Sequence, residues 1–236
     1  MWFLTMRTSK VPSMGSCREF SLRRGKTCVA GSRLIVHRKI EAEVLSRVVE
    51  LAGTARIGNP MHPETQVGPV TTREQMDKIL GYIDIASAEG ARCELGGGRA
   101  RDGALQSGWF VEPTIFSGVD NSMRIAQEEV FGPVLSVISF EDKDEAYALA
   151  NDTRYGLAAG IWTSDISRIF RGTSRLQAGT VWVNTYRTVS YMAPFGGYKS
   201  SGVGRENGRE AIEAYTQTKT VWIDTIGKTS NPFLMK

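Results

Sequence analysis

The sequence predicts an α/β fold in which a mostly parallel β-sheet is flanked by helices. Over residues 134–185, apolar and β-branched runs alternate with amphipathic helical segments, and the connections between them are short, which is typical of βαβ units. Residues 33–55 show the same succession of a strand and a helix. The chain has 236 residues, of which 41% are hydrophobic and 23% charged, which is enough to bury a substantial core.

The first predicted elements follow a basic N-terminal stretch. Residues 33–37 (RLIVH) form a β-branched run that predicts a strand, and residues 39–55 carry apolar side chains on one helical face. A second helix is predicted to begin after a cap at Thr71 or Thr72, because a side-chain hydroxyl there can accept from the first free backbone N–H groups. We expect Gly90 to end this helix.

Two short apolar runs, residues 93–95 and 109–116, flank a glycine-rich connection and are predicted to pair with each other. Pro113 interrupts the second run. Because proline has no N–H to donate, this run is expected to be an edge or irregular strand.

The chain from Pro133 onward is predicted to alternate strictly between strands and helices. The predicted elements are strand 134–140, helix 142–150, strand 157–163, helix 165–176, strand 180–185, a glycine-rich loop over 194–208, helix 209–215 and a last strand over 218–224. A terminal strand that follows a helix needs an edge to pair with. That edge is either in the same sheet or in another subunit or domain.

Charge and cysteine content exclude several classes of protein. The formal net charge is +4, and much of the excess lies in the first 39 residues, whose only acid is Glu19. No run of Lys and Arg with interleaved aromatics indicates a nucleic-acid binder. The three cysteines, Cys17, Cys28 and Cys93, share no CxxC spacing, so neither a disulfide framework nor a metal site is indicated.

The expected location follows from the same composition. No apolar run approaches the roughly 20 residues that span a bilayer, and the unpaired cysteines fit a reducing compartment. We therefore expect a cytoplasmic protein without membrane association. Residues 1–24 are rich in Arg and Ser and nearly free of acids, which leaves a mitochondrial presequence as the lesser alternative.

The local sequence around Cys28 leaves its role open. The segment GKTCVAGSR places this thiol among small residues just before a strand, where it is either exposed at a turn or, as free cysteines commonly are, buried. With only His37 and His62 in the chain, a Cys–His dyad has few candidates.

Two further motifs are equally open on local sequence. Glu128 and Glu129 precede VFGPV, either as a solvated acidic pair or as carboxylates placed to hold a ribose hydroxyl beside an aromatic ring. The segment PFGGYKSSGVGRE, residues 194–206, matches neither a Walker loop nor a GxGxxG fingerprint. Its glycines are predicted to allow a tight backbone path under a pocket.

Taken together and in order, these segments resemble the C-terminal half of the aldehyde dehydrogenase superfamily. CVAGSR at 28–33 is similar to the family's nucleophile motif, EEVFGPV at 128–134 to its cofactor-ribose motif, and AGTVWVNT at 178–185 followed by PFGGYKSSGVGRE to its substrate-tunnel wall. The resemblance covers roughly residues 25–225 and implies the catalytic α/β domain of that family.

The resemblance implies a covalent mechanism through Cys28. Its thiolate would attack an aldehyde to give a thiohemiacetal, hydride would pass to NAD or NADP, and the thioester would be hydrolysed to a carboxylate. The backbone N–H of Cys28 would contribute to the oxyanion site.

The resemblance also implies the roles of the surrounding residues. Glu129, Phe131, Gln75 and Lys78 would bind the cofactor, with Glu129 on the nicotinamide ribose and Phe131 beside the ring. The substrate side would be lined by Asn184, Arg187 and Phe195. Arg187 either attracts a carboxylated aldehyde or pairs with a surface acid.

Several parts of the family pattern are not found in residues 1–24. These are the dinucleotide-binding domain, the glutamate general base of an LGGK-type motif, and the asparagine of the oxyanion hole. A missing general base typically costs about 10²- to 10⁴-fold in rate, so we expect little or no turnover by this polypeptide alone. We also expect impaired cofactor binding. On this interpretation the chain is a truncated family member or an incomplete gene model.

The expected division of the chain has three parts: a basic arm over 1–24 that is disordered or non-homologous, a catalytic domain over 25–215, and a C-terminal strand and tail over 216–236. Two other functions stay open. One is a non-catalytic partner that joins full-length subunits or forms a homo-oligomer through its last strand. The other is a Cys28-dependent esterase that uses no nicotinamide.

Overall fold

The computed structural model describes residues 2–5 and 27–225, together with residues 227 and 233. Its described strands are β1 (Trp2–Thr5), β2 (Arg33–His37), β3 (Arg92–Leu95), β4 (Thr114–Ser117), β5 (Val134–Phe140), β6 (Tyr155–Gly156), β7 (Ala158–Trp162), β8 (Thr180–Val183) and β9 (Tyr198–Lys199). The described α-helices are α1 (Arg38–Gly53), α2 (Arg73–Ala88), α3 (Arg124–Gln127), α4 (Lys143–Asn151) and α5 (Ile166–Arg175), with 3₁₀ helices at Gly103–Ser107 and Arg209–Tyr215.

The strands form one large sheet with the order β3–β4–β5–β2–β1–β7–β8 and a separate antiparallel pair, β6–β9. Within the large sheet, β3 and β4 are antiparallel, and the other neighbouring strands are parallel. The predicted fold class, an α/β protein with a mostly parallel sheet, is therefore confirmed.

Side-chain alternation along β2 divides the core into two layers. Ile35 points to one face of the sheet, whereas Leu34 and Val36 point to the other, as the period of two along a strand requires. On the Ile35 side the sheet is covered by apolar residues of α2, α3 and α4, and on the other side by those of α1.

Local capping explains where the helices begin. The Thr72 side chain accepts from the Gln75 N–H at the start of α2, as predicted. Asp142 does the same for the first N–H groups of α4. Each cap satisfies donors that the helix itself leaves unpaired and contributes about 0.5–2 kcal/mol.

Several regions differ from the sequence-based predictions. The run 109–116 was expected to be an edge or irregular strand, but its strand β4 begins only after Pro113 and lies between β3 and β5, not at an edge. Residues 218–224, predicted as a strand, are exposed and form no strand. They pair with no strand in the described part of the chain. Trp2–Thr5, placed by prediction in a basic arm, pairs with both β2 and β7 inside the sheet. The other residues of the predicted arm, 6–24 and Met1, lie outside the described residues, and the division into three parts stays a prediction.

No described helix combines the length and the apolar character needed to cross a bilayer.

Candidate active site

The loop before β2 presents Cys28 to solvent. Cys28 is an exposed free thiol in a turn closed by a hydrogen bond from the Ala30 N–H to the Thr27 carbonyl oxygen, at 2.7 Å. The turn leads directly into the buried strand β2. The structure thus selects the exposed-thiol alternative that the local sequence had left open.

A buried tyrosine fixes this loop. The Tyr186 hydroxyl accepts from the Gly31 N–H at 3.0 Å and donates to the Val29 carbonyl oxygen at 2.6 Å. The Tyr186 ring is itself held by edge-to-face packing on Trp182. One side chain from a distant part of the sequence therefore forms hydrogen bonds with the Val29 carbonyl oxygen and the Gly31 N–H, which follow Cys28 in the loop.

An open cavity of about 270 Å³ lies beside Cys28. It sits where β2, β5 and β7 begin, so it lies at the amino ends of these parallel strands. Open α/β sheets more commonly bind ligands at the carboxyl ends. The lining residues are Thr27, Cys28, Ala30, Ser32, Ile125, Ala126, Gln127, Glu128, Glu129, Val130, Phe131, Gly132, Val134, Ser136, Tyr155, Leu157, Ser200 and Ser201.

The loop from Glu128 to Gly132 forms a second wall of the cavity. Phe131 has a φ of 55°, in the left-handed region that non-glycine residues rarely occupy. The Gln75 side-chain amide holds this conformation by donating to the Val130 and Phe131 carbonyl oxygens, at 3.0 and 3.2 Å. Gly132 is needed here because a Cβ atom would come within 2.6 Å of the Ile79 side chain.

The Glu128 carboxylate is held by neighbouring side chains. Its carboxylate accepts from the Arg124 guanidinium at 2.8 and 2.9 Å and from the Tyr82 hydroxyl at 2.7 Å. These hydrogen bonds lower the pKa of Glu128 to about 2. Lys78 lies in the same group, with its ammonium 5.9 Å from the Tyr82 ring centre. The Glu128 carboxylate therefore stays ionised and bound to Arg124 and Tyr82. Glu129 is the neighbouring acid of the cavity lining that could contact a ligand.

The predicted substrate residues lie outside the cavity lining. Asn184 joins the ends of β7 and β8, because its side-chain amide accepts from the Thr163 N–H and donates to the Thr163 carbonyl oxygen. Phe195 is half-buried against the core and pairs through its backbone with Glu206. Arg187 has a φ of 56° and donates to the Thr27 hydroxyl at 3.5 Å, beside Cys28.

The structure therefore brings together part of the predicted set. Cys28, Glu129 and Phe131 line one cavity, and Gln75 supports it from behind. Lys78 joins the Glu128 cluster rather than the lining.

A buried polar network behind the cavity was not predicted. Arg33, only 1% exposed at the start of β2, donates to the Asn121 side-chain oxygen and, at 3.1 Å, to the Ala150 carbonyl oxygen. Asn121 in turn donates to the Asp152 carboxylate at 2.7 Å. Burial lowers the pKa of Arg33, and the charge of Asp152 opposes this shift.

Lys199 reaches the same end of α4 from the glycine-rich loop. Its ammonium donates to the Asn151 and Thr153 carbonyl oxygens at 2.6 and 3.1 Å. Burial lowers the pKa of Lys199. Cations are favoured at the carbonyl end of a helix, so the C-terminus of α4 connects strand β2, through Arg33, with the glycine-rich loop, through Lys199.

The signals for these missed residues were weak. A single Arg opening an otherwise apolar β-branched run, RLIVH, was the only hint of the buried network. Tyr186 carried no motif of its own that would reveal its contact with the Cys28 loop.

Comparison with known proteins places this arrangement in a family. The aldehyde dehydrogenase family model matches residues 13–221. Betaine aldehyde dehydrogenase from Brucella anthropi is 46% identical over 209 residues, which is 89% of this chain and 43% of that protein. The chain thus spans less than half the length of this curated relative.

Solved structures give the same result. A betaine aldehyde dehydrogenase from Staphylococcus aureus in complex with NAD⁺ superposes with a TM-score of 0.90 at 37% identity, over 99% of this chain and 46% of that one. An NAD⁺ complex of aldehyde dehydrogenase from Bacillus cereus has a TM-score of 0.84 at 42% identity, over 90% and 42% of the two chains. By sequence and by structure, the chain belongs to the aldehyde dehydrogenase family.

Proposed function

We propose that this chain carries the nucleophile of an NAD(P)-dependent aldehyde oxidation, with Cys28 as the attacking thiol. The observation that carries this proposal is the shared cavity, in which an exposed free thiol lies with Glu129 and Phe131. Because the chain covers under half of its relatives' length, the activity of a whole enzyme is itself part of the proposal.

The proposed chemistry takes place on the Cys28 sulfur. The thiolate adds to the aldehyde carbon, forming a C–S bond and a thiohemiacetal whose oxygen takes a proton. When bound, an oxidised nicotinamide would supply the acceptor for the hydride of that carbon. Loss of that hydride, and of the hydroxyl proton to solvent, would leave Cys28 as an acyl thioester. Water then cleaves its C–S bond, which releases a carboxylate and restores the Cys28 thiol.

The cavity fits one part of a nicotinamide nucleotide. Its volume of about 270 Å³ lies just below the range of about 300–1,000 Å³ that ligand pockets occupy, which suits a ribose and a ring but not a whole dinucleotide. The Glu129 carboxylate can accept hydrogen bonds from the hydroxyls of a ribose, and Phe131 offers an apolar face. The Gln75 side-chain amide holds the backbone at Val130 and Phe131 in place.

The expected result of mixing the chain with a simple aldehyde and millimolar NAD⁺ is acylation without turnover. Cys28 should accumulate a thioester, detected by intact mass and released by hydroxylamine, and NADH should reach at most about one equivalent. The reason is that hydrolysis of the thioester has no assigned general base among these residues, which costs about 10²- to 10⁴-fold.

The controls separate the thiol from the cofactor site. Cys28→Ser should give neither thioester nor NADH, while Cys93→Ser should behave as wild type. Glu129→Gln should raise the NAD⁺ concentration for half-maximal acylation about tenfold, since hydrogen bonds to a charged group contribute about 1.5–3 kcal/mol. Many NADH per chain would refute the proposed lack of turnover. Ester hydrolysis through Cys28 with no thioester from aldehyde and NAD⁺ would favour the esterase alternative.

A second function, a non-catalytic partner of full-length subunits, is favoured by the exposed C-terminal segment. Val221, Trp222 and Ile223 are 68%, 93% and 78% exposed. We propose that a second copy or a full-length family subunit covers this segment by strand pairing. Native mass measurement, on the chain alone and on the chain mixed with a full-length family subunit, should show a complex that deletion of residues 218–224 abolishes. A chain that stays monomeric in both samples would refute this second function.

A further inference from the structure

Arg187 is placed beside the nucleophile and not against a surface acid. Its guanidinium donates to the Thr27 hydroxyl at 3.5 Å, and Thr27 both precedes Cys28 and lines the cavity. In the described part of the chain, the ion pairs join other residues, and Arg187 has no carboxylate partner. Of the two roles that the sequence left open for Arg187, the surface ion pair therefore finds no support.

The backbone conformation of Arg187 is a further sign. Its φ of 56° lies in the left-handed region. For a residue with a long side chain this conformation is uncommon and carries a strain that tends to be kept at functional sites. The neighbouring Tyr186 is held by hydrogen bonds to the Cys28 loop. The guanidinium that contacts Thr27 of the cavity lining therefore belongs to a segment that is anchored on that loop.

Arg187 dominates the charge of the predicted tunnel wall. From Asn184 to Phe195 it is the single charged residue, and the segment contains no Asp or Glu. Among the residues that line the cavity, Glu128 forms an ion pair with Arg124. Glu129 remains as an acid of the cavity, on the wall that the proposed function assigns to the ribose.

We propose that Arg187 makes this site selective for aldehydes that carry an anionic group, such as a carboxylate a few bonds from the carbonyl. The inference rests on the proposed function, because it names the substrate class of the same cavity. A guanidinium presents a planar fork that matches the two oxygens of a carboxylate. The same charge disfavours a cationic aldehyde, so the site differs from one built for the quaternary ammonium of betaine aldehyde.

The test measures charge preference at Cys28 without requiring turnover. Two methanethiosulfonate reagents, the anionic 2-sulfonatoethyl and the cationic 2-(trimethylammonio)ethyl compound, are reacted with the chain, and peptide mass spectrometry gives the rate at each cysteine. In each case the Cys28 sulfur forms a disulfide, methanesulfinate leaves with the electron pair, and the thiol proton goes to solvent. The ratio of the two rates at one thiol cancels the acidity of that thiol.

Arg187→Gln should lower the anionic-to-cationic ratio at Cys28 about tenfold, because a charge a few ångströms outside the cavity acts on both rates in opposite directions. The ratio at Cys93 should not change. Arg187→Lys, which keeps the charge, should retain most of the preference. Arg101→Gln makes the same change of charge near the β3–β4 edge of the sheet and should leave the ratio at Cys28 unaltered.

An unchanged ratio at Cys28 in a folded Arg187→Gln chain would overturn the inference, as would an equal fall in the Arg101→Gln control. Where the variant does not fold, Thr27→Met removes the hydroxyl contact and keeps the guanidinium, and its ratio at Cys28 should stay on the anionic side. Failure of the oxidation itself is read separately, as the absence of a thioester with aldehyde and NAD⁺, and leaves the reagent ratio interpretable.

Discussion

Replacing Arg33 by alanine is expected to lower the free energy of unfolding by about 3–5 kcal/mol, the usual cost of removing one partner from a buried charged network. Arg33 is 1% exposed, and its guanidinium donates to the Asn121 side chain and to the Ala150 carbonyl oxygen. Alanine would leave both acceptors buried without this donor and would also leave a cavity at the start of β2.

Thermal and urea unfolding measure this effect. For a domain of this size the loss corresponds to a fall in Tm of roughly 6–20 °C. Arg33→Lys should fall between wild type and alanine, because it keeps the charge but loses the two-pronged donor. Arg101→Ala, an exposed arginine, should change stability by no more than about 0.5 kcal/mol. Equal losses in Arg33→Ala and Arg101→Ala would mean that the buried network contributes nothing.

Gly179→Ala is expected to disrupt the packing of the glycine-rich loop against β8. A Cβ atom at Gly179 would lie 1.8 Å from the Gly196 carbonyl oxygen and 2.9 Å from the Gly196 carbonyl carbon. These are backbone atoms, which cannot swing aside as a side chain does. We therefore expect a loss of about 3 kcal/mol or more, with displacement of Ser200 and Ser201 from the cavity wall.

A second glycine supplies the matched control. Gly81 lies within α2, and a Cβ atom there would meet nothing within 4 Å. Gly81→Ala should stabilise the chain by about 0.5–1 kcal/mol, because alanine restricts the unfolded backbone and favours the helix. Both variants add one methyl group, at Gly179 against backbone atoms and at Gly81 into open space. If Gly179→Ala left stability unchanged or raised it, the close approach at Gly179 would not be real.

The elements that were predicted well are those that a short local stretch of sequence specifies. Strand β5, Val134–Phe140, was predicted with its observed bounds because it is buried on both faces and its sequence is apolar except for Ser136 and Ser139. The start of α2 was predicted from its Thr72 cap. The fold class followed from such local signals alone.

The parts that could not be predicted depend on contacts between distant segments. Tyr186 meets the Cys28 loop across 157 positions of the chain, and Arg33 meets the end of α4 across 117. No local pattern encodes such a meeting. Likewise, Asn184 was assigned to the substrate side by resemblance, yet its amide is used to join β7 and β8 at Thr163.

The roles of the candidate site residues stay a prediction. Cys28, Glu129 and Phe131 were selected by the family resemblance, because local sequence alone left each of them ambiguous, and the structure places all three in the lining of one cavity. The cavity at the amino ends of the strands was not predicted, because strand order cannot be read from hydrophobic periodicity. The sheet order, in which β1 lies between β2 and β7, was not predicted either.

That position of β1 has a consequence for how the chain folds. Thr5 pairs with Val36 on one side and with Trp162 on the other, so β1 is synthesised long before one of the two strands that it pairs with. Contacts of such high sequence separation raise contact order and slow folding. Until Ala158–Trp162 arrives, one side of β1 is an unpaired edge, open to other nascent chains. We therefore expect the yield of folded protein to depend on synthesis rate and temperature.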